Sequence, residues 1–231
     1  MGRPVIGIVA KHLRREMLRP DTYVRDEMKQ AVFDNGGIAI GILSPVVSRF
    51  DGRDIWEGDF SAGDFEDLMA QELGLCDGVI FQGGAAYDDY ETLIAKYCCE
   101  HDIPTMGICC GQNAIVRALG GTTTVVQNNE KHNQPEAKYV HDIYVLPGSR
   151  FYEIVGCVET MRVNSRHERV VATFPGISVA AYDDDGNIEV VEAADKKFFV
   201  GMRFHPESLY REDEKMRAIF EEFIEACRRR A

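Results

Sequence analysis

Short apolar runs alternate with amphipathic stretches along the first half of the chain. The apolar runs have the length of buried strands, and the stretches between them carry apolar residues at helical spacing. The predicted strands are 5–10, 38–43, 78–81 and 103–106, and the predicted helices are 22–34, capped by Thr22, then 65–73, 90–100 and 112–119. Strands that alternate with helices over short connections predict a parallel sheet covered by helices on both faces.

The pattern changes after Gly120 and Gly121. Strand-like segments then follow one another, which predicts additional antiparallel strands in the C-terminal half of an α/β fold. These strands are 122–126, 141–146, 159–163, 177–182, 188–191 and 198–204, with a hairpin-type loop at 183–187 and a final helix at 211–229. Residues 11–21 and 48–64 follow neither period and are predicted to be surface loops.

The composition fits a single domain that spans residues 1–231. The net charge of −12 argues against nucleic acid or an anionic membrane as a partner. No stretch approaches the roughly 20 apolar residues of a membrane span, and the first residues lack the pattern of a signal peptide. The seven cysteines, with adjacent pairs at 98–99 and 109–110, predict a reducing, cytoplasmic setting.

The stretch Gly107-Ile108-Cys109-Cys110-Gly111 lies between a predicted strand and a predicted helix. A strand that turns at once into a helix strains its turn residue, and flanking glycines allow the chain to fold tightly around it. The sulfur of Cys109 would then project near a helix N-terminus that favours a thiolate. A buried cysteine with glycines for packing is the alternative, and the strand–turn–helix context favours a nucleophile.

A candidate base follows in Phe204-His205-Pro206-Glu207. If this segment is a strand end, His205 and Glu207 face the same side, because residues i and i+2 of a strand do. A carboxylate beside an imidazole fixes its tautomer and stabilises the imidazolium. On these two residues alone, a strand terminus with solvated polar side chains is an equal alternative. Together with Cys109, they predict a thiol enzyme.

A pair of glycines, Gly83 and Gly84, follows the predicted strand 78–81. In an open parallel sheet, sites form at the edge where the carboxyl ends of the strands meet. A glycine at that edge allows a backbone N–H group to approach a bound carbonyl. Most such pairs are only tight turns, so the signal is weak by itself.

In combination, these motifs resemble the class I glutamine amidotransferases and, more closely, their γ-glutamyl hydrolase branch, which includes the γ-glutamyl-γ-aminobutyrate hydrolases. The resemblance extends over nearly the whole chain. Its most specific marks are the Cys109 turn and the segment from Phe204 to Glu207. Supporting marks are the segments 3–8, 81–84, 119–122, 163–167 and 185–189.

The resemblance implies an open, mostly parallel central sheet with helices on both faces, the flavodoxin-like fold of class I glutamine amidotransferases. It implies a Cys-His-Glu triad of Cys109, His205 and Glu207. It also implies an oxyanion hole from the N–H groups of Gly84 and Cys110. The substrate contacts that it implies are Gly83, Asn113, Ser165, Arg166 and His167, with the backbone around Ser165 and Arg166 holding the α-amino and carboxylate end of a glutamyl group.

The chain departs from the family pattern at three places. Asn113 stands where the family usually has Gln, and Cys110 stands where Arg or Leu is common. Residues 85–89 read Ala-Ala-Tyr-Asp-Asp, where the hydrolase branch often has an Asp and a Pro. No member of the implied triad is lost, but the acyl group and the leaving group stay open.

Other histidines and acidic residues give weaker signals. His132 and His141 lie in the region that roofs the site in this family, either as substrate contacts or as part of a solvated loop. His101 lacks the neighbouring Cys-x-x-Cys spacing of a zinc site, which favours helix packing. The run 183–185 lacks the ligand spacing of an EF-hand loop and is typical of a turn. No metal and no cofactor are predicted.

The leading hypothesis is a thiol hydrolase that cleaves the γ-glutamyl amide bond of a small γ-glutamyl compound, such as γ-glutamyl-γ-aminobutyrate. A thioester on Cys109 would form, and glutamate and an amine would be released. One alternative is a glutaminase subunit that delivers ammonia to a synthetase. Because 231 residues leave no room for a synthetase domain, the synthetase would be a separate partner. Another is a non-catalytic binding protein on the same fold. The oligomeric state, a homodimer included, stays open.

Overall fold

The structure, a computed structural model, describes residues 2–13, 21–44, 47–48, 54–55, 62–84, 89–127 and 129–229. The strands are β1 (Val5–Val9), β2 (Lys11–Leu13), β3 (Asp21–Tyr23), β4 (Ile38–Ile42), β5 (Val47–Ser48), β6 (Asp54–Ile55), β7 (Gly78–Phe81), β8 (Thr105–Ile108), β9 (Thr122–Val125), β10 (His141–Val145), β11 (Thr160–Val163), β12 (Arg169–Thr173), β13 (Ser178–Asp183), β14 (Ile188–Glu192) and β15 (Phe199–Met202). The helices are α1 (Asp26–Asp34), α2 (Ala62–Gly74), α3 (Asp89–Glu100), α4 (Cys110–Ala118), α5 (Asn129–His132), α6 (Arg150–Ile154) and α7 (Glu214–Arg228), and Pro206–Ser208 forms a 3₁₀ turn.

Within the described residues, nine strands form one sheet in the order β11-β10-β13-β14-β15-β8-β7-β1-β4. The strands from β15 to β4 run parallel, and those from β11 to β14 are antiparallel to their neighbours. β7 and β8 are buried along their whole length, as strands covered on both faces are. The predicted mixed α/β sheet, with antiparallel strands added in the C-terminal half, is confirmed.

Helices cover both faces of this sheet. Neighbouring residues of β7 point to opposite faces, because side chains alternate along a strand. Ile80 therefore packs into one apolar core with residues of α1 and α7, and Val79 packs into a second core with residues of α2, α3 and α4. Burial of apolar side chains on both faces fixes the order and the register of the parallel strands.

Three predicted details are wrong. Thr22 does not cap a helix: it lies in β3, which pairs with β2 inside the region predicted to be an irregular loop, and α1 begins at Asp26. The last helix begins at Glu214 rather than at residue 211, because the Asp213 side chain accepts hydrogen bonds from the N–H groups of Lys215 and Met216. β12 was not predicted; it pairs with β9 in a separate two-stranded sheet.

Some sequence predictions fall partly outside the described residues, and others concern membrane spans and disulfides. Most of the predicted loop 48–64 and most of the departure at 85–89 lie outside the described residues. Across the described ranges, no helix combines the length and the apolar character needed to cross a membrane. None of the seven cysteines, all of which are described, forms a disulfide.

Candidate active site

Three neighbouring parallel strands end at the candidate site. β7 leads into Gly83, β8 leads into Cys109, and β15 is followed by His205. Their registers, which pair Phe81 with Gly107 and Met202 with Ile108, bring the carboxyl ends of the three strands to one edge of the sheet. Parallel pairing thus places residues from three distant parts of the sequence side by side.

Cys109 occupies a strained turn between β8 and α4. Its φ of 51° and ψ of −106° lie in a region that non-glycine residues rarely adopt, at a cost of about 1–3 kcal/mol. The flanking glycines make the turn sterically feasible. A Cβ atom on Gly111 would lie 2.0 Å from the carbonyl oxygen of Phe81, and one on Gly107 would lie 2.8 Å from the carbonyl oxygen of Gly111.

His205 and Glu207 form a buried pair in which Nδ1 of His205 lies 2.7 Å from Oε1 of Glu207. The strand geometry predicted for this segment is wrong, because β15 ends at Met202 and Glu207 lies in the 3₁₀ turn. Asn164 holds the backbone of His205, whose N–H group donates to Asn164 Oδ1 at 2.7 Å and whose carbonyl accepts from Asn164 Nδ2 at 2.9 Å. Sequence reasoning gave Asn164 no role, although it lies in the 163–167 motif.

Cys109 and His205 both approach Gly83. A Cβ atom on Gly83 would lie 2.7 Å from Cε1 of His205 and 3.4 Å from Cβ of Cys109, so a larger residue would not fit there. Burial raises the pKa of the Cys109 thiol, but the positive charge of His205, with a smaller effect from Arg203, outweighs burial, and the net shift is downward.

The charge of His205 is favoured for the complementary reason. Burial lowers the pKa of the imidazole, but the carboxylate of Glu207 and the Cys109 thiolate outweigh burial and raise this pKa to about 10. The geometry therefore favours a thiolate–imidazolium pair over two neutral groups. Such a pair is a preformed nucleophile with an acid beside it.

Cys110 is held in a different electrostatic environment. Burial raises the pKa of its thiol to about 11, against the opposing charge of Lys11. The Lys11 ammonium lies 3.7 Å from Cys110 Sγ, but it also contacts both carboxylate oxygens of buried Glu91, at 2.7 and 2.6 Å. Of the two adjacent cysteines, Cys109 is therefore the one whose ionisation the site favours.

The thiol of Cys109 opens onto a pocket of about 490 Å³. The predicted site residues that line this pocket are Gly84, Cys109, Cys110, Asn113, Arg166, His167, His205 and Glu207. Gly83 and Ser165 are not among the described lining residues. Arg25, Glu27, Glu168 and Arg169 line it without having been predicted. The wall thus offers both signs of charge around the sulfur.

Ser165 and Arg166 contribute to the site in different ways. Ser165 is fully buried, its hydroxyl donates to the carbonyl of His132, and its own carbonyl accepts from the N–H group of Gln134 at 3.0 Å. The guanidinium of Arg166 donates to Ser208 Oγ at 3.1 Å and faces the pocket. The Arg166 side chain, rather than the Ser165 carbonyl, is therefore available to a ligand.

Arg203 is a buried pocket residue that sequence reasoning missed. Its Nη1 donates to the carbonyl of Cys109 at 3.1 Å and to Oδ1 of Asn113 at 2.8 Å. Asn113 therefore lines the pocket with its side-chain oxygen already bonded to Arg203. The available signal was a lone charged residue within the apolar run 198–204.

A second group of polar side chains lies next to the pocket, and it could hold a metal ion. It comprises His132, His141, His167 and Glu189, all of them buried. The solvated-loop alternative for His132 and His141 is wrong, because helix α5 and strand β10 carry these rings inside the protein. His101 is exposed, and its ring lies 4.0 Å from that of Tyr97.

The run 183–185 forms a turn, as its sequence predicts. The Asp183 carboxylate accepts from the N–H groups of Asp185 and Asn187, at 2.9 and 2.8 Å. Its second oxygen accepts from Asn187 Nδ2 at 2.8 Å. These bonds within the turn account for Asp183 without a bound ion.

Sequence comparison finds similarity to CTP synthases and to a glutamine amidotransferase-like protein. It is 29% identical over 235 residues to the CTP synthase of Phenylobacterium zucineum, a match that covers 83% of this chain and 41% of that protein. The chain thus spans about two fifths of that CTP synthase. A glutamine amidotransferase-like protein of Rickettsia prowazekii is 23% identical over 265 residues, which cover 90% of this chain and 92% of that protein.

Structural comparison agrees at the level of the fold. The glutaminase domain of the Trypanosoma brucei CTP synthase, solved with bound acivicin, superimposes with a TM-score of 0.67 at 16% identity, over 99% of this chain and 95% of that one. The chain therefore has the class I glutamine amidotransferase-like fold. The sequence profile of the family described as Peptidase C26 matches residues 82–207, which is more than half of the chain and runs from Gln82 to Glu207. The chain belongs to the peptidase C26 family.

Proposed function

We propose that this protein is a glutaminase-type thiol hydrolase, in which Cys109 attacks the side-chain amide of a glutamyl group. The observation that carries the proposal is the strained Cys109 turn in one pocket with the bonded His205–Glu207 pair. Family membership suggests a cysteine-dependent hydrolase of amide bonds. The CTP synthase relatives favour glutamine as the substrate over a longer γ-glutamyl amide.

In the proposed reaction, the proton of the Cys109 thiol already lies on His205, whose imidazolium the Glu207 carboxylate stabilises. The thiolate attacks the side-chain carbonyl carbon, the carbon–nitrogen bond breaks, and the nitrogen leaves with the proton from His205. A water molecule then gives a proton to His205 and attacks the thioester, which releases glutamate and restores the thiolate–imidazolium pair. The reaction consumes one water and needs no oxidant or reductant.

The developing oxyanion would be bound by the N–H groups of Gly84 and Cys110. Gly84 follows β7, Cys110 begins α4, and both residues line the pocket. Each such donor is worth about 3 kcal/mol of transition-state stabilisation. Only the backbone N–H group of Cys110 would contact the oxyanion, so its thiol takes no part in this contact.

The zwitterionic end of the glutamyl group would be held by charged side chains of the pocket wall. Arg166 and Arg25 offer guanidinium groups to an α-carboxylate, and Glu27 and Glu168 offer carboxylates to an α-amino group. This assignment replaces the backbone contacts expected around Ser165 with side-chain contacts, since the Ser165 carbonyl is already bonded to Gln134. A substrate without the free α-carboxylate should therefore bind weakly.

A second candidate is hydrolysis of a small γ-glutamyl amide, the leading hypothesis from the sequence. The pocket of about 490 Å³ supports it, because a volume of this class accommodates small ligands larger than an amino acid. Both candidates share the thioester on Cys109 and differ only in the nitrogen that leaves. In the glutaminase case, the ammonia would pass to a synthetase on a separate chain or domain.

The deciding experiment compares glutamate release from glutamine with release from a panel of γ-glutamyl amides. Cys109→Ala should abolish turnover of every substrate, and Cys157→Ala, which removes an exposed thiol, should not. Glutamine turnover that rises when a synthetase is added supports a glutaminase subunit, whereas preference for substituted amides supports the second candidate. Full activity in Cys109→Ala would refute both. No turnover, with no labelling of Cys109 by diazo-oxo-norleucine, would indicate a non-catalytic binding protein.

A further inference from the structure

Four buried polar side chains converge beside the catalytic pocket from four separate segments. His132 ends α5, His141 begins β10, His167 lies between β11 and β12, and Glu189 lies in β14. Their exposed fractions are 0%, 5%, 3% and 0%. Residues this far apart in the sequence meet only because the tertiary structure closes around them.

Most of their polar atoms have no hydrogen-bond partner among the described residues. These atoms are both ring nitrogens of His132 and of His167, Nε2 of His141, and both carboxylate oxygens of Glu189. A buried polar atom without a partner costs about 1–3 kcal/mol, so several in one place would be a large unexplained penalty. A bound cation that accepts one lone pair from each ring and one from the carboxylate removes much of this penalty.

The distances suit a small ion. One potential ligand atom from each of the four residues lies within 4.8 Å of all the others, and His167 Nε2 is 3.3 Å from Glu189 Oε1. In a tetrahedral site with metal–ligand bonds of about 2.0–2.1 Å, neighbouring ligand atoms are about 3.3 Å apart. The His167–Glu189 distance already has this value, and the other side chains would have to close by no more than about 1.5 Å.

Groups around the cluster orient the rings for coordination. Nδ1 of His141 lies 3.2 Å from the carbonyl oxygen of Asp142, so a proton on Nδ1 leaves the lone pair on Nε2. Nε2 of His132 lies 3.6 Å from Asp185 Oδ2 and 3.7 Å from Asp183 Oδ2. One nitrogen of His132 can thus face the carboxylates while the other binds an ion, an arrangement usual for metal-bound histidines.

We propose that His132, His141, His167 and Glu189 bind one divalent transition-metal ion, with Zn²⁺ as the leading candidate. Three imidazoles and a carboxylate match the ligand preferences of zinc, whereas magnesium and calcium prefer oxygen ligands alone. Four protein ligands complete a tetrahedral shell, as in structural zinc sites. The ion would pin the segment between β11 and β12, which carries Asn164 and Arg166, to the sheet.

A smaller group, His132 with Asp183 and Asp185, is the weaker candidate for the same ion. Asp183 already accepts three hydrogen bonds within its turn, and Asp185 is 40% exposed and pairs with Lys131 at 2.8 Å. These carboxylates are therefore satisfied without a metal. The four-residue cluster, whose atoms are not satisfied, carries the proposal.

The test measures metal content in the full chain, freed of any histidine tag, by mass spectrometry after reconstitution with zinc sulfate and desalting. Wild type should retain about one equivalent of zinc. Glu189→Gln and His141→Gln should weaken zinc binding at least about tenfold, since even partners of metal ligands contribute that much. His101→Gln is the matched control, because it removes a surface histidine outside the cluster and should keep the full equivalent.

A further variant separates this cluster from the catalytic thiol, which could itself hold zinc. Cys109→Ser should keep the zinc, and loss of the ion in that variant would place it at the thiol and overturn the proposal. Retention of the full equivalent of zinc by both single variants, Glu189→Gln and His141→Gln, would also overturn the proposal. If these two variants do not fold, wild type decides: removal of zinc by a chelator should lower the melting temperature, and zinc should restore it. Less than about a tenth of an equivalent in reconstituted wild type refutes the site whatever the enzymatic activity.

Discussion

Alkylation of the two adjacent cysteines tests whether the fold ionises one thiol and suppresses the other. Cys109 and Cys110 both line the pocket and have similar exposed fractions, 8% and 6%. A difference in their reaction with iodoacetamide at pH 7 therefore reports ionisation more than access. The thiolate is the reactive form, so the rate follows the thiolate fraction and its nucleophilicity.

The expected difference can be worked out from the two environments. Burial raises the pKa of Cys110 to about 11, so about 10⁻⁴ of it is thiolate at pH 7, against about 10⁻² for the ordinary value of 9.0. Because the pKa of Cys109 is lowered, its thiolate fraction exceeds that of Cys110 by more than about 100-fold. The more basic thiolate is roughly tenfold more nucleophilic over this interval, which leaves Cys109 faster by at least about tenfold.

The assay follows carboxamidomethylation at each residue by fragment-ion mass spectrometry from pH 5 to pH 10. A lowered thiol pKa means that reactivity of Cys109 persists below pH 9 and is lost only as the pH falls through that lowered value. Glu207→Gln removes the charge that raises the pKa of His205. Because the charge of His205 lowers the pKa of Cys109 more than the charge of Glu207 raises it, the midpoint for Cys109 should move up toward 9.0. Faster labelling of Cys110, or a Cys109 midpoint at or above 9 in wild type, would show that the fold does not favour the Cys109 thiolate.

Two further substitutions test the geometry of the site. Gly111→Ala would place a Cβ atom 2.0 Å from the carbonyl oxygen of Phe81, so we expect the free energy of unfolding in urea to fall by about 3 kcal/mol or more. The control is Gly74→Ala, whose Cβ atom would meet nothing within 4 Å and should not destabilise the fold. An unchanged stability of Gly111→Ala would contradict the close packing. Asn164→Leu removes both hydrogen bonds to the backbone of His205. We expect kcat for glutamate release to fall at least about tenfold while KM stays nearly unchanged. A rise in KM as large as the fall in kcat would instead indicate a role in substrate binding.

The parallel half of the fold could be predicted from the sequence because its signals are local. Apolar runs the length of a strand, each followed by a helical period, identify β1, β4, β7 and β8 with their helices. The region around β2 and β3 could not be predicted in this way, because these short strands exist through pairing with each other. The same holds for β12, whose partner β9 precedes it by more than 40 residues.

The cysteine in a glycine-flanked turn, and the histidine and glutamate that could serve it, can be identified from the sequence alone, because these motifs are contiguous. How the motifs combine depends on the folded chain: parallel pairing of β15, β8 and β7 brings them to one edge, and a 3₁₀ turn, not a strand, places Glu207 against His205. Arg203, the Lys11–Glu91 pair beside Cys110, and the three histidines around Glu189 likewise emerge from contacts between distant segments. Burial and neighbouring charges set the chemistry of a side chain, and both are properties of the folded interior that no local sequence pattern encodes.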